Sequence, residues 1–172
     1  YRLRTDAPIV AQPAYLSHDV SGIGDSGIIY AVSQDGFVHA IKERDGSHLW
    51  RFSTGSPIVE APVVAGQFLF VANQLGGMYC LEGKTGTQVW WTPEVIRFIA
   101  ASKQRVYAAD KIGQVRVLNA RSGAPLGILP LEDLPIKLAN GETDRIYLAT
   151  GTGLIECLHE VELTQPLPRR YF

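Results

Sequence analysis

The chain repeats itself at an interval of about forty residues, and that interval leaves few folds open. Tyr30, Phe70, Tyr107 and Tyr147 follow one another at spacings of 40, 37 and 40, and Gly36, Gly76, Gly113 and Gly153 keep the same intervals. Ile41, Leu81, Leu118 and Leu158 share that register, and the turn glycines Gly46, Gly86 and Gly123 keep its first two steps. The opening run YRLRTDAPIVAQPAY also echoes WRFSTGSPIVEAPVV, which starts at Trp50, position for position without a gap. A chain self-similar at this period builds one small supersecondary unit per copy and stacks the copies.

Each copy holds four short runs rich in β-branched and aromatic residues. In the second copy these are IVEAPVV, FLFVAN, MYCLE and QVWWT, separated by Gly-containing turns, and no long helical period interrupts them. The chain is therefore expected to be all-β. Four strands per forty residues suit one blade of a β-propeller, built as a four-stranded antiparallel sheet. Runs such as IIYAV and FLFVA lack the polar alternation of a sheet with one wet face, which fits blades buried on both sides. A β-sandwich also uses short strands, but it has no reason to place aromatic, Gly and Leu markers on one register four times.

The expected layout is a single domain with repeats at about 8–55, 57–93, 94–130 and 135–172, preceded by an outermost strand over residues 1–5. The last copy offers three strand runs, and the prolines of VELTQPLPRRYF disfavour a fourth. Two arrangements follow. Either Tyr1 to Thr5 completes the last blade and closes a four-bladed ring, or the chain is a segment of a larger propeller, the reading favoured here. The only methionine is Met78, which suggests a processed, excised or incomplete chain.

With 16 Lys and Arg against 17 Asp and Glu and no block of like charge, the chain has no broad field to attract nucleic acid. No apolar run is long enough to insert directly into a bilayer. Oligomeric state is not readable.

The run SQDGFVHAIKERDGSHLWRFSTGSPI, and its second copy QLGGMYCLEGKTGTQVWW, resemble the quinoprotein-type or PQQ-like propeller repeat. No Trp-Asp dipeptide occurs, so the Trp-Asp repeat is the weaker match. The resemblance implies one of two functions. The first, preferred here, is a non-enzymatic scaffold for a protein or peptide partner, similar to the lipoprotein that assists outer-membrane β-barrel assembly, which places the chain in the periplasm or cell envelope. The alternative is a segment of a PQQ-dependent alcohol dehydrogenase, in which a ring of about eight blades holds the quinone and a calcium ion. The site for both would lie outside this chain.

Local chemistry favours the scaffold, with no cofactor, no metal and no catalytic set expected. The dehydrogenase pattern has a disulfide between adjacent cysteines, whereas Cys80 and Cys157 are far apart and occupy equivalent strand positions, where buried packing is expected. Asp35, Asp45 and Asp110 fall in or beside turns rather than in a calcium loop. His18, His39, His48 and His159 are expected to be solvated or capping. The insert LSHDVSGIGDSG lacks a nucleophile elbow and reads as an exposed turn. Trp50 and Trp90 share a register position and are expected to dock each blade on the next, while Gly127 stands there in the third copy. Glu60, Arg97 and Lys137 match one another in successive first strands, with Ala11 as their counterpart. Because innermost strands line a propeller's channel, these three are the candidate binding residues.

Overall fold

The structure, a computed structural model, describes residues 2–168. Its strands form four antiparallel meanders in chain order. The first sheet holds β1 (Ala14–Leu16), β2 (Ile28–Val32), β3 (Phe37–Lys42) and β4 (His48–Ser53). The second holds β5 (Val63–Ala65), β6 (Phe68–Asn73), β7 (Gly77–Glu82) and β8 (Gln88–Pro93), and the third β9 (Val95–Ala101), β10 (Arg105–Asp110), β11 (Val115–Asn119) and β12 (Pro125–Leu129). The fourth has three strands among the described residues, β13 (Ile136–Leu138), β14 (Ile146–Ala149) and β15 (Ile155–Leu158). These are stacked propeller blades.

Three apolar layers join successive sheets. Tyr30, Val38 and Ala40 of the first sheet pack with Leu69, Val71 and Leu81 of the second. Phe70, Met78 and Cys80 on the opposite face of the second sheet meet Phe98, Val106 and Ala108 of the third. Tyr107, Ala109 and Val115 then meet Ile146 and Leu148 of the fourth. A middle sheet is thus dry on both faces, and β6 is buried at every position after Phe68. That is why its sequence shows no alternation.

Tryptophans on the outer strands tie neighbours together. Trp50 on β4 donates its indole N–H to the Gly83 carbonyl at 3.0 Å, and Trp90 on β8 donates to that of Ala120 at 2.9 Å. Each ring lies on the turn of the next sheet. A Cβ added at Gly86 or Gly123 would come within 2.5 or 2.6 Å of the Trp50 or Trp90 ring, so only glycine lets the indole sit so close. The third sheet carries Gly127 at this position, and β12 is exposed over nearly all its length.

Several expectations need correction. Arg2 to Thr5 form no strand, Tyr1 lies outside the described residues, and among the described residues β15 pairs with β14 alone. No apolar layer joins the fourth sheet to the first among the described residues, so the stack is an open arc rather than a closed four-bladed ring. After β15 the chain is drawn aside. Glu160 accepts hydrogen bonds from Ser102 Oγ (2.6 Å) and Tyr107 (3.1 Å) and pairs with Arg105, while buried Arg145 donates to the carbonyls of Leu163 (2.8 Å) and Thr164 (2.9 Å). Cys157 is exposed, because among the described residues no further sheet covers the face on which Cys80 is buried. The insert is not a plain exposed turn: it forms α1 (His18–Ser21), and buried Ser21 donates to the Ser26 carbonyl at 2.8 Å.

Candidate functional site

The three sequence candidates do meet. Glu60 precedes β5, Arg97 lies on β9 and Lys137 on β13, and all three border one recess of about 200 Å³ beside Phe70 and Phe98. Their charges are largely spent on the protein itself. Arg97 grips Glu60 at two points, Nε to Oε2 at 3.0 Å and an Nη to Oε1 at 2.8 Å, and this bond raises the Arg97 pKa against the opposing effect of burial. Lys137 is buried rather than presented to a channel. Its ammonium donates to the carbonyls of Leu134 (2.8 Å) and Leu131 (3.2 Å), and burial lowers its pKa, partly offset by Glu132 and Asp110. Ala11, the fourth counterpart, packs against the first apolar layer.

A second concavity was not foreseen. It opens between the second and third sheets, where the β6–β7 and β10–β11 turns meet the link from β8 to β9, and encloses about 700 Å³. Leu75, Trp91 and Ile112 project into it, 77, 47 and 70 % exposed, around the Tyr79 ring. Exposed apolar side chains clustered on a concave rim differ from the scattered ones every surface carries.

The walls of this groove are held from behind. Buried Asp110 accepts backbone N–H bonds from Ile112 (3.1 Å) and Gln114 (2.9 Å) on one oxygen and the Arg116 Nε (2.9 Å) on the other. Arg116 also reaches Glu94 at 3.4 Å, and Lys111 donates to the Leu75 carbonyl at 3.0 Å, joining the two turns. Tyr79 bonds the Thr54 carbonyl at 3.1 Å and its ring lies 6.4 Å from that of Trp91. Glu94 has a φ of 65°, unusual for a residue with a side chain, and its N–H donates to the Gly76 carbonyl at 2.7 Å. One signal could have revealed the groove: Leu75 and Ile112 occupy the turn position that is Asp35 in the first copy and Thr152 in the last.

The family model of the outer membrane protein assembly factor BamB matches residues 4–156. The chain belongs to the BamB family. Among solved structures, it is similar to BamB from Moraxella catarrhalis at 14 % identity and a TM-score of 0.65, covering 96 % of this chain and 54 % of that one. It is also similar to the computationally designed Ika4 protein (13 % identity, TM-score 0.68, 91 % and 93 % covered) and to designed Ika8 (14 %, 0.65, 88 % and 46 %). At such identities the likeness is one of fold, and the chain spans about half the length of the BamB structure. No curated protein sequence matches it.

The remaining polar groups of this BamB-family chain have structural surroundings. Among the described residues no three His, Cys, Asp or Glu cluster as metal ligands, and no helix is long and apolar enough to cross a membrane. Asp35 and Asp45 accept N–H bonds from Phe37 (3.0 Å) and Ser47 (2.9 Å) within their turns. Burial pushes the Cys80 thiol up to about 12, so it stays protonated. His18, His48 and His159 are exposed. His39 is not: it is 5 % exposed, beside Phe37 and His48, with no hydrogen-bond partner for either ring nitrogen among the described residues.

Proposed function

We propose that this chain is a non-catalytic scaffold of the cell envelope that holds an extended segment of a partner protein in the groove between its second and third sheets. The observation that carries this reading is the trio Leu75, Trp91 and Ile112, exposed on a rim whose turns are fixed by Asp110, Arg116 and Lys111. An aromatic anchor with aliphatic flanks on a pre-organised surface is what binding hot spots are made of, because little side-chain freedom is lost on docking. The name of the family, an assembly factor for outer membrane proteins, supports both a protein partner and a place outside the cytoplasm. The recess at Arg97 is the weaker candidate, since Glu60 already occupies its guanidinium.

Titration calorimetry against the soluble components of the outer-membrane protein assembly machinery tests the reading. Trp91→Ala is expected to weaken binding by about tenfold or more, roughly 1.4 kcal/mol, with an unchanged circular dichroism spectrum. Arg97→Glu is expected to leave affinity unchanged. Equal affinity of wild type and Trp91→Ala, or stoichiometric binding of pyrroloquinoline quinone with dye-linked alcohol oxidation, overturns it.

A further inference from the structure

The first two joins of the stack follow one plan and are filled differently. Between the first and second sheets, Leu16, Ile28, Tyr30, Val64 and Leu69 close the apolar layer, each at most 6 % exposed. Strand pairing sets the equivalences one join further on. Leu16 faces Ile28 as Ala65 faces Phe68, and Val64 faces Leu69 as Ala101 faces Val106. Two alanines therefore stand where the first join has a leucine and a valine. A Cβ built on Gly83 would lie 2.6 Å from the Tyr30 hydroxyl and 3.2 Å from Leu16 Cδ2, so both side chains reach across to the opposite turn. At Ala120, the counterpart of Gly83, Phe70 has no hydroxyl and Ala65 no branch with which to do the same.

The shortfall leaves a recess of about 260 Å³ between the second and third sheets, lined by Ala65, Phe68, Phe70, Ala101, Val106 and Ala120. Val89 borders it, 43 % exposed. Its lining is apolar except for Ser102, Lys103 and Arg121, and the Ser102 hydroxyl is turned away onto Glu160. In the first join the register puts Gly66 and Lys84 in place of Lys103 and Arg121, and Lys84 is tied to the Gly22 carbonyl at 3.3 Å. The Lys103 ammonium and the Arg121 guanidinium are exposed and make no hydrogen bond or ion pair among the described residues. Glu160 and Glu162 border a neighbouring recess with Lys103. The first is taken up by Arg105, Ser102 and Tyr107, and the second forms no ion pair with Lys103.

We propose that this recess binds a medium-chain fatty acid, its tail between the two sheets and its carboxylate held by Lys103 and Arg121. An apolar cavity gains little from water and much from methylene groups. Two cations without a partner at its mouth favour a tail that ends in a negative charge. A single flexible chain charged at its end needs only the width of the mouth, whereas a partner protein's side chain brings its backbone against the turns that carry Lys103 and Arg121. The Trp91 groove opens at the opposite turns of the same two sheets, so failure of either reading leaves the other standing.

Titration calorimetry with hexanoate, octanoate and decanoate is expected to show affinity rising about fourfold per added methylene. Octylammonium, with a similar tail and the opposite charge, is expected to bind at least about tenfold more weakly than octanoate. Ala65→Leu gives the second join the leucine of the first, and is expected to weaken decanoate binding at least about tenfold with the melting temperature unchanged or raised. Trp91→Ala is expected to leave decanoate binding unchanged. In wild type, decanoate is expected to shift the methyl resonances of Ala65, Ala101 and Ala120 and to leave those of Leu16 and Val64 in place, a readout that does not depend on any variant folding. No binding of decanoate at about 1 mM overturns the proposal and leaves the recess to a side chain of a protein partner. So does octylammonium binding as tightly as octanoate, or a set of shifts centred on Leu75 and Ile112, which places the acid in the groove.

Discussion

The second and fourth sheets carry the same repeat and live in different surroundings. Phe70 on the second is 4 % exposed and stacks on Phe98 at 4.7 Å between centroids, while its counterpart Tyr147 on the fourth is only half-buried. Cys80 is 1 % exposed and its counterpart Cys157 lies open. Each repeat provides apolar faces, but burial comes from the next repeat. Stability in such a stack is therefore a sum over neighbouring joins rather than a property of any one sheet.

The strongest way to break this comparison is to truncate the matched aromatics. Phe70→Ala is expected to cost about 3–5 kcal/mol, since it empties a closed apolar layer. Tyr147→Ala is expected to cost less than about 1.5 kcal/mol, because solvent already reaches that face. Urea unfolding measures both, and equal costs would refute the contrast.

Glycine turns offer a sharper and smaller test. Gly86 (φ 72°) lies under the Trp50 ring, while Gly153 (φ 100°) has nothing within 4 Å of a built Cβ. Gly86→Ala adds a collision to the backbone strain and is expected to cost about 2–3 kcal/mol, against about 1–2 for Gly153→Ala. Thermal denaturation compares the two, and a shift in Trp50 fluorescence is expected only for Gly86→Ala.

The smallest effect concerns pH and the open side of the first sheet. Tyr79 in the second sheet bonds the Thr54 carbonyl, whereas His39, in the same repeat position, has only ring and charge neighbours. Burial lowers the His39 pKa, with His48 and Arg51 acting the same way and Asp35 and Asp6 opposing. The folded chain then holds this proton more weakly than the unfolded chain, so stability falls as pH drops through the ordinary histidine range near about 6.5. His39→Leu is expected to flatten that part of the stability curve in urea melts at pH 5 to 8, and an unchanged curve would assign the dependence elsewhere.

What could be read in advance was local. The aromatic, glycine and leucine register marks strands and turns within one copy, and four sheets follow from it. What could not be read depends on which surface lies opposite. Lys137 sits in register with Arg97, yet its ammonium is turned onto the Leu131 and Leu134 carbonyls of the link between β12 and β13. His39 lies in a strand without polar alternation, so no period shows which face is dry. The groove needed two turns from different copies to be set side by side, although the apolar Leu75 and Ile112 at turn tips were visible as departures from the repeat.

The indole seated on a neighbour's glycine turn also bears on how such chains change over time. The forty-residue copy with Trp90 and Gly86 carries a plug for the copy after it and a socket for the copy before it. Duplicating one copy in the gene inserts both halves of the contact together, and neither flanking join has to be redesigned. A copy that loses its plug, as the third has with Gly127, marks where the stack tolerates a change of course.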